Sequence, residues 1–301
     1  MLEILNLSII GVAIRMATPL LLSSLGGVIA YRAGILNVGM EGMMLSGAFT
    51  AVVFSMTFSS STIGFLAAGL AGLLAGLLTG LIYNRYKGDV FVIGMAINIG
   101  ALGLTNFLMR SIFGTVGAIS SSSIIGFPKM EISAFEEIPI LRDIFSGNPM
   151  LVYASWVLVL ITYIFLNHTR VGLNIRAVGE NPEAASAAGI KISWYRYLGI
   201  SLSGISSGFA GAYLALGQLS MFTENMTAGR GFIALAIIIF GRGTAEGALL
   251  GSLLFGIAEA IAMQLQGRSS IPPQFVLMIP YLLTVVALTI FGVRRSRQVS
   301  R

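Results

Sequence analysis

Long apolar runs separated by short polar intervals make up almost the whole chain. Nine runs stand out, most of them near the roughly 20 residues that an α-helix needs to cross a bilayer. Their approximate limits are Ile4–Ala30, Ile35–Phe58, Ile63–Tyr83, Val90–Ile112, Met150–Leu166, Trp194–Leu216, Gly231–Phe240, Ala245–Leu265 and Phe275–Phe291. The seventh run is short and lies between two Gly-Arg-Gly triplets, which is typical of a half-helix. We therefore predict one all-α polytopic membrane domain over residues 1–301, with about nine spans and a range of eight to ten.

The composition supports helical spans rather than a β-barrel. Hydrophobic residues make up 56% of the chain and charged residues 10%, and 37 residues are glycine. Glycine at a spacing of four allows helices in a membrane to approach closely. Gly72, Gly76 and Gly80 form such a ridge in the third run, and Gly204 and Gly208 form one in the sixth.

The residue inventory also excludes several functions. The chain has no cysteine and one histidine, His168, so a zinc site or a Ser–His intramembrane protease is not expected. No GxxxxGK[ST] phosphate-binding loop occurs, so we expect no cofactor in this chain, and ATP with Mg²⁺ would bind elsewhere. The basic residues flank apolar runs and form no stripe, so the net charge of +6 does not indicate nucleic-acid binding.

Lysine and arginine positions predict the orientation in the membrane, because positive residues concentrate on the cytoplasmic side. One face collects twelve of them: Arg32, Arg85, Lys87, Arg170, Arg176, Lys191, Arg196, Arg242, Arg294, Arg295, Arg297 and Arg301. The opposite face holds five: Arg110, Lys129, Arg142, Arg230 and Arg268. Arg15 lies inside the first run. We predict a cytoplasmic C-terminus and, with nine spans, an N-terminus outside.

The polar interval at residues 168–193 is predicted to be a cytoplasmic loop that contains a short helix. Asn181 is the expected N-cap, Pro182 the first helical residue and Gly189 the stop. A short alanine-rich helix is not stable alone. We therefore expect it to dock on another protein.

A second polar interval, residues 113–149, is predicted to face the outside. It carries an acidic cluster at Glu131, Glu136, Glu137 and Asp143. It either touches an extracytoplasmic partner or is a solvated connection between spans.

The segment Arg32–Ala48 places Asn37 and Glu41 on one helical face among several glycines. A carboxylate inside a bilayer is costly, so Glu41 is a candidate for the substrate path. The alternative is that it caps or hydrogen-bonds a neighbouring broken helix. For Glu259, in the eighth run, the favoured role is a buried structural pair with a Ser, Gln or Arg.

Other candidates for the substrate path lie in the fourth and sixth runs. Asn98 and Asn106 share a face of the fourth, where hydrogen bonding between helices is the alternative. Phe209 and Tyr213 in the sixth are suited to stacking on a flat ligand ring, or to anchoring at the membrane interface.

Two of these segments resemble a known family. Arg32–Ala48, RAGILNVGMEGMMLSGA, resembles the RSGxxNxGxEGMMLxGA signature of membrane subunits of bacterial ABC importers in the branched-chain amino acid/ribose/nucleoside permease superfamily. Arg176–Ile190, RAVGENPEAASAAGI, resembles the segment by which those permeases engage their ATPase. The NxGxEGMM form is most similar to nucleoside permeases that work with a basic-membrane-lipoprotein binding protein.

The resemblance implies a vitamin-B12-importer-like (type II) permease fold in a bacterial plasma membrane, paired with a second, homologous permease as a heterodimer. It implies a cytoplasmic ATPase with two nucleotide-binding modules and a substrate-binding lipoprotein. The implied ATPase-coupling residues are Arg176, Gly179, Glu180, Asn181, Ala184, Ala185 and Gly189. Asn37 and Glu41 are implied to lie beside the translocation path.

The function that follows is ATP-driven import of nucleosides. Two alternatives stay open: a sugar permease of the ribose type, and an ion-coupled secondary transporter in which Glu41 or Glu259 carries the ion.

Overall fold

The computed structural model describes residues 8–130 and 146–268, together with Met278. Within them lie ten α-helices: α1 (Ser8–Arg32), α2 (Met40–Phe58), α3 (Ser61–Tyr86), α4 (Val90–Phe113), α5 (Met150–His168), α6 (Arg170–Glu180), α7 (Pro182–Ala187), α8 (Ile192–Ala212), α9 (Arg230–Phe240) and α10 (Ala245–Arg268). A π-helical segment, Tyr213–Leu219, continues α8. Four two-residue strands follow in chain order: β1 (Ala118–Ile119), β2 (Lys129–Met130), β3 (Asn148–Pro149) and β4 (Phe222–Thr223).

Seven of these helices are long and apolar enough to cross a membrane: α1 to α5, α8 with its π-helical continuation, and α10. They correspond to seven of the nine predicted runs. The predicted half-helix is α9, which has 11 residues and is therefore about 16 Å long. Apart from Met278, the ninth run, Phe275–Phe291, lies outside the described residues. The acidic cluster at 131–143 and the basic C-terminal tail also lie outside them.

Glycine contacts set the packing of α8 against α2 and α3. A Cβ on Gly204 would overlap the backbone carbonyl of Gly72, and a Cβ on Gly208 would overlap that of Ala68. On the other side, a Cβ on Gly47 would overlap the backbone of Gly208. The predicted glycine ridges are thus surfaces where helix backbones touch, which places α8 at the centre of the bundle.

One end of the bundle, the strand end, is closed by the short strands. β1 pairs with β4 and β2 pairs with β3, both antiparallel. The Ser55 hydroxyl donates to the Ile125 carbonyl at 2.8 Å and accepts from the Ile125 backbone nitrogen at 3.1 Å. Arg15 donates to the Asn148 side chain at 3.2 Å, which ties α1 to the start of α5.

The other end, the basic end, carries four arginines: Arg32 at the end of α1, Arg176 within α6, Arg196 near the start of α8 and Arg242 just after α9. The Arg196 guanidinium lies 5.4 Å from the centre of the Tyr83 ring. Residues 170–180, expected as loop, are helical as α6. Thr169 caps this helix by accepting from the Gly172 nitrogen at 3.0 Å, and the burial of Ile175 and Val178 stabilises it.

The second span starts later than its apolar run suggested. The run begins at Ile35, whereas α2 begins at Met40. Gly34, with φ +81°, ends α1, and the nitrogens of Gly34 and Ile35 bond back to the carbonyls of Tyr31 and Ala30. Residues 35–39 then run through the protein without helical structure. Such backbone is tolerated inside a membrane protein because neighbouring groups satisfy it.

Candidate functional site

The Glu41 carboxylate caps the N-terminus of α9. Its Oε1 accepts from the Thr227 hydroxyl at 2.6 Å and from the Gly229 nitrogen at 2.7 Å, and its Oε2 accepts from the Gly231 nitrogen at 2.6 Å. Glu41 is 8% exposed. The first amides of a helix have no partner within it and lie at its positive end, so a carboxylate is a strong acceptor there. This is the structural alternative named above, a carboxylate that caps a broken helix.

Two glycines make this cap possible. Gly229 is the N-cap of α9 and has φ +82°, a conformation that glycine adopts without strain. A Cβ on Gly231 would overlap the backbone of Glu41. The backbones of α2 and α9 therefore meet at this point, in the interior of the bundle.

A second carboxylate holds the same end of α9. Arg230, the first residue of α9, donates from Nη2 to Oε2 of Glu259 on α10 at 3.4 Å. The predicted structural pairing of Glu259 is thus confirmed. Arg230 was assigned to the face opposite Arg32, and it lies at the end of α9 that is away from the basic end, one helix length of about 16 Å from it.

Asn37 and Asn98 hold the irregular segment before α2. Asn37 is 2% exposed; its amide donates to the Ser203 hydroxyl at 2.8 Å, and its oxygen accepts from the Gly39 nitrogen at 3.0 Å. Asn98 on α4 accepts from the Gly42 nitrogen at 2.8 Å and donates to the Val38 carbonyl at 3.0 Å. Asn37, Glu41 and Asn98 are therefore brought together around the start of α2, where each bonds to the protein's own backbone.

The other three path candidates lie apart from this cluster. Asn106 lies two turns further along α4, half-buried. Phe209 stacks on Phe65, with ring centres 4.0 Å apart and planes at 14°. Tyr213 is fully buried at the start of the π-helical segment. Their role in a substrate path stays a prediction.

The proposed coupling residues lie at the basic end. The Asn181 side chain accepts from the Ala184 nitrogen at 3.0 Å, Pro182 is the first residue of α7, and Gly189 has φ +78°. The predicted start and stop of this short helix are confirmed. Ala185 is buried against the protein, whereas Ala184 and Gly189 are exposed.

A cleft of about 370 Å³ lies beside this helix, between α6 and the end of α1. Arg176, Gly179 and Glu180 line one wall, and Tyr31, Arg32, Gly34 and Leu36 line the other. A Cβ on Gly179 would overlap the carbonyl oxygen of Arg32. The segment that leads into α7 thus contacts the segment that leads into α2.

Sequence reasoning missed the partners of Glu41. Thr227, Gly229 and Gly231 are 186 to 190 residues further along the chain. The local signal in the sequence was the glycine pair on either side of Arg230, Gly229 and Gly231. It indicated a broken helix, but it did not show which residue caps that helix. In the described residues, no group of three or more His, Cys, Asp or Glu side chains is arranged to hold a metal ion.

Comparison with known proteins gives consistent matches over most of the chain. A family model described as branched-chain amino acid transport system / permease component matches residues 9–288. The nucleoside ABC transporter permease protein NupC of Lactococcus lactis is 36% identical, over 91% of this chain and 89% of that protein. The guanosine ABC transporter permease protein NupQ of Bacillus subtilis is also 36% identical, over the same shares. TsgC13 of Haloferax volcanii, provisionally named a glucose ABC transporter permease, is 30% identical over 97% and 93%.

Two solved structures share the fold. A chain of a metal-chelate type ABC transporter in an inward-facing conformation superposes with a TM-score of 0.55 at 20% identity, over 95% of this chain and 86% of that one. PsaBC from Streptococcus pneumoniae gives 0.52 at 13% identity, over 95% and 91%. At these identities the likeness shows the fold alone, and it confirms the expected all-α ABC permease architecture.

Proposed function

The chain belongs to the branched-chain amino acid transport system / permease component family, and on that basis we propose that it is the permease through which an ABC importer takes up nucleosides. It is a multi-pass membrane permease and not an enzyme. Family membership implies that an ATPase and a substrate-binding protein work with it. The substrate, the detailed assembly and the orientation belong to the proposal.

The assignment of nucleosides as the substrate is supported by two relatives that are each 36% identical to this chain. Both are named for nucleosides, come from different organisms and align over about nine tenths of their length. The chemistry of the described interior agrees. The carboxylates of buried Glu41 and half-buried Glu259 bond to the protein's own amides, hydroxyl and guanidinium. A neutral substrate needs hydrogen-bonding groups and ring contacts rather than a free charge.

The same bonds weigh against the ion-coupled alternative. A carboxylate that carries a proton or sodium ion across the membrane has to release its partners in each cycle. Glu41 is held by three short hydrogen bonds to α9 and the residues before it. Releasing them would uncover the start of α9, at a cost of about 1–3 kcal/mol for each unsatisfied buried group.

The proposed assembly has four kinds of component. This chain pairs with a second, homologous permease as a heterodimer, and an extracytoplasmic lipoprotein delivers the substrate. A cytoplasmic ATPase with two nucleotide-binding modules binds ATP and Mg²⁺ and docks on α7. The basic end then faces the cytoplasm of a bacterial cell, and the strand end faces the binding protein. The exposed alanines of α7, on a helix of six residues, support a docking role because so short a helix is not stable alone.

Transport measurements on the complete assembly test this proposal. Vesicles that contain all subunits should take up radiolabelled guanosine and uridine in an ATP-dependent way, with unlabelled nucleosides competing and glucose not competing. Ala184→Trp on α7 should leave the protein inserted and abolish ATP-driven uptake. Arg85→Trp, at an exposed position of the same basic end but outside the coupling residues, is the matched control and should transport normally. Uptake that survives without the ATPase would contradict the proposal.

A sugar substrate is the second candidate, because TsgC13 matches over nearly its whole length. Glucose uptake that nucleosides do not inhibit, in the same vesicles, would replace the nucleoside assignment and leave the permease assignment intact.

A further inference from the structure

The short helix α9 is held at both ends by residues that lie nine positions apart in the sequence. Glu41 binds its N-terminal end, and Arg32 binds the turn at its C-terminal end. Nothing in the local sequence of α9 anticipates either contact.

The C-terminal contact is formed by two hydrogen bonds. The Arg32 guanidinium donates from Nε to the Gly243 carbonyl at 2.6 Å and from Nη2 to the Arg242 carbonyl at 3.3 Å. Gly243, with φ +61°, packs against the Tyr31 ring. A cation at the C-terminal end of a helix and an anion at its N-terminal end both complement the helix dipole. The charges of Arg32 and Glu41 therefore match the two ends of α9.

The segment between these two residues is itself tightly held. Asn98 binds both Val38 and Gly42, and Asn37 binds Ser203. We call residues 32–41 together with α9 the clamp unit. Its limit away from the basic end is the Glu41–Gly231 contact, one α9 length of about 16 Å from that end.

The clamp unit contacts residues 176–189, which we call the coupling segment, at Gly179. Gly179, two residues before the cap of α7, packs on the Arg32 carbonyl, and the Gly34 nitrogen lies next to it. Any side chain at position 179 would separate these backbones. This contact connects the segment before α7 to the residue that holds the end of α9.

We propose that Arg32 and Gly179 are positioning residues that transmit the ATP-driven movement of α7 through the clamp unit to the start of α9, about 16 Å further into the bundle. This inference rests on the proposed docking of an ATPase on α7. To that docking it adds a specific route of transmission. Because Arg32 and Glu41 hold the two ends of α9, this helix moves together with the coupling segment.

Thiol labelling tests the route without any transported substrate. The chain has no cysteine, so an introduced cysteine is its single labelling site when the partner subunits are also cysteine-free. Ala187→Cys reports on α7, where the side chain is exposed. Phe232→Cys reports on the start of α9, where the side chain is 42% exposed. The rate of reaction with N-ethylmaleimide is measured for each in the complete assembly, with and without ATP plus vanadate. For Ala187→Cys it is also measured in the assembly without the ATPase.

We expect ATP plus vanadate to change the labelling rate of Phe232→Cys at least about fivefold, the lower range of couplings between distant sites. When Gly179→Ala or Arg32→Gln is added to Phe232→Cys, the labelling rates with and without ATP plus vanadate should become nearly equal. Arg85→Gln removes an exposed basic residue from the same end and should leave the ratio unchanged. Transport per ATP hydrolysed should fall about fivefold or more in the first two variants and stay unchanged in the third.

The outcomes separate this inference from the function it rests on. If the ATPase fails to protect Ala187→Cys, the docking proposal and the inference both fall. If α7 is protected but Phe232→Cys labels at one rate in both nucleotide states, only the inference falls. It also falls if the nucleotide effect survives both Gly179→Ala and Arg32→Gln, or if Arg85→Gln removes it equally.

Discussion

Glu41 and Gly231 lie 190 residues apart, and Oε2 of the first accepts a 2.6 Å hydrogen bond from the backbone nitrogen of the second. The same carboxylate binds the Gly229 nitrogen and the Thr227 hydroxyl. This contact joins the second span to the half-helix α9. Four predictions follow from it and from the neighbouring contacts.

Replacing the carboxylate should destabilise the protein. Glu41→Gln puts an amide group against the N–H groups that Glu41 accepts from, so at least one of them loses its partner. We expect the free energy of unfolding to fall by about 2–3 kcal/mol, measured by thermal unfolding in detergent. Glu246→Gln is the control, because Glu246 is an exposed carboxylate in the first turn of α10. A loss no larger than that of the control would show that the Glu41 charge is incidental.

Adding one methyl group at position 231 should have an effect of similar size. The Cβ of Gly231→Ala would overlap the Glu41 backbone and force α2 and α9 apart. Overpacking of this kind costs about 1–3 kcal/mol, which the same unfolding measurement would detect. Gly103→Ala is the matched control, because its Cβ meets nothing within 4 Å. Equal stability of the two variants would mean that the contact is loose in solution.

The Arg230–Glu259 pair should behave as a coupled unit. Removing one partner leaves the other charge half-buried, with its ion pair lost. Arg230→Gln and Glu259→Gln should therefore each destabilise the protein, and the double variant should lose less than the sum. We expect a coupling energy of about 1–3 kcal/mol from the double-mutant cycle. Additive losses would show that the 3.4 Å contact contributes nothing to stability.

The cap of α7 should matter for transport more than for folding. Asn181→Ala removes the acceptor for the Ala184 nitrogen and should destabilise the helix by about 1 kcal/mol. Asn181→Asp keeps an acceptor and serves as the control. ATP-driven uptake should fall in the first variant and persist in the second, at equal amounts of protein in the membrane. Unchanged uptake in both would argue that α7 needs no ordered start.

Sequence patterns predicted much of the fold because membrane spans and helix caps depend on residues that are close together in the chain. The length of an apolar run decides whether a helix can cross a membrane, so α1 to α5, α8 and α10 correspond to runs read from the sequence. The limits of α7 could also be predicted, because the residues that begin and end it act within one turn of the helix. These residues are Asn181, Pro182 and Gly189. The half-helix α9 was recognised from its shortness and its flanking glycines.

The second span begins later than predicted because distant parts of the chain pack against its first residues. Hydropathy placed the start of the second span at Ile35. Side chains from α4 and α8 instead hold residues 37–39 in a non-helical course, and α2 begins at Met40. The position of α9 also depends on distant contacts, because the helix is tied to Arg32 at one end and Glu41 at the other.

Glu41 shows most clearly the difference between what the sequence pattern predicts and what only the folded structure determines. Its apolar surroundings in the sequence were enough to predict a carboxylate inside the bundle, because the cost of a charge in a membrane depends on composition and depth. Which atoms bind that carboxylate depends on how α9 folds back over 186 to 190 residues. A hydrogen bond requires atoms within about 3 Å of each other. Apolar patterning specifies which segments enter the membrane, and the folded arrangement alone brings such atoms together.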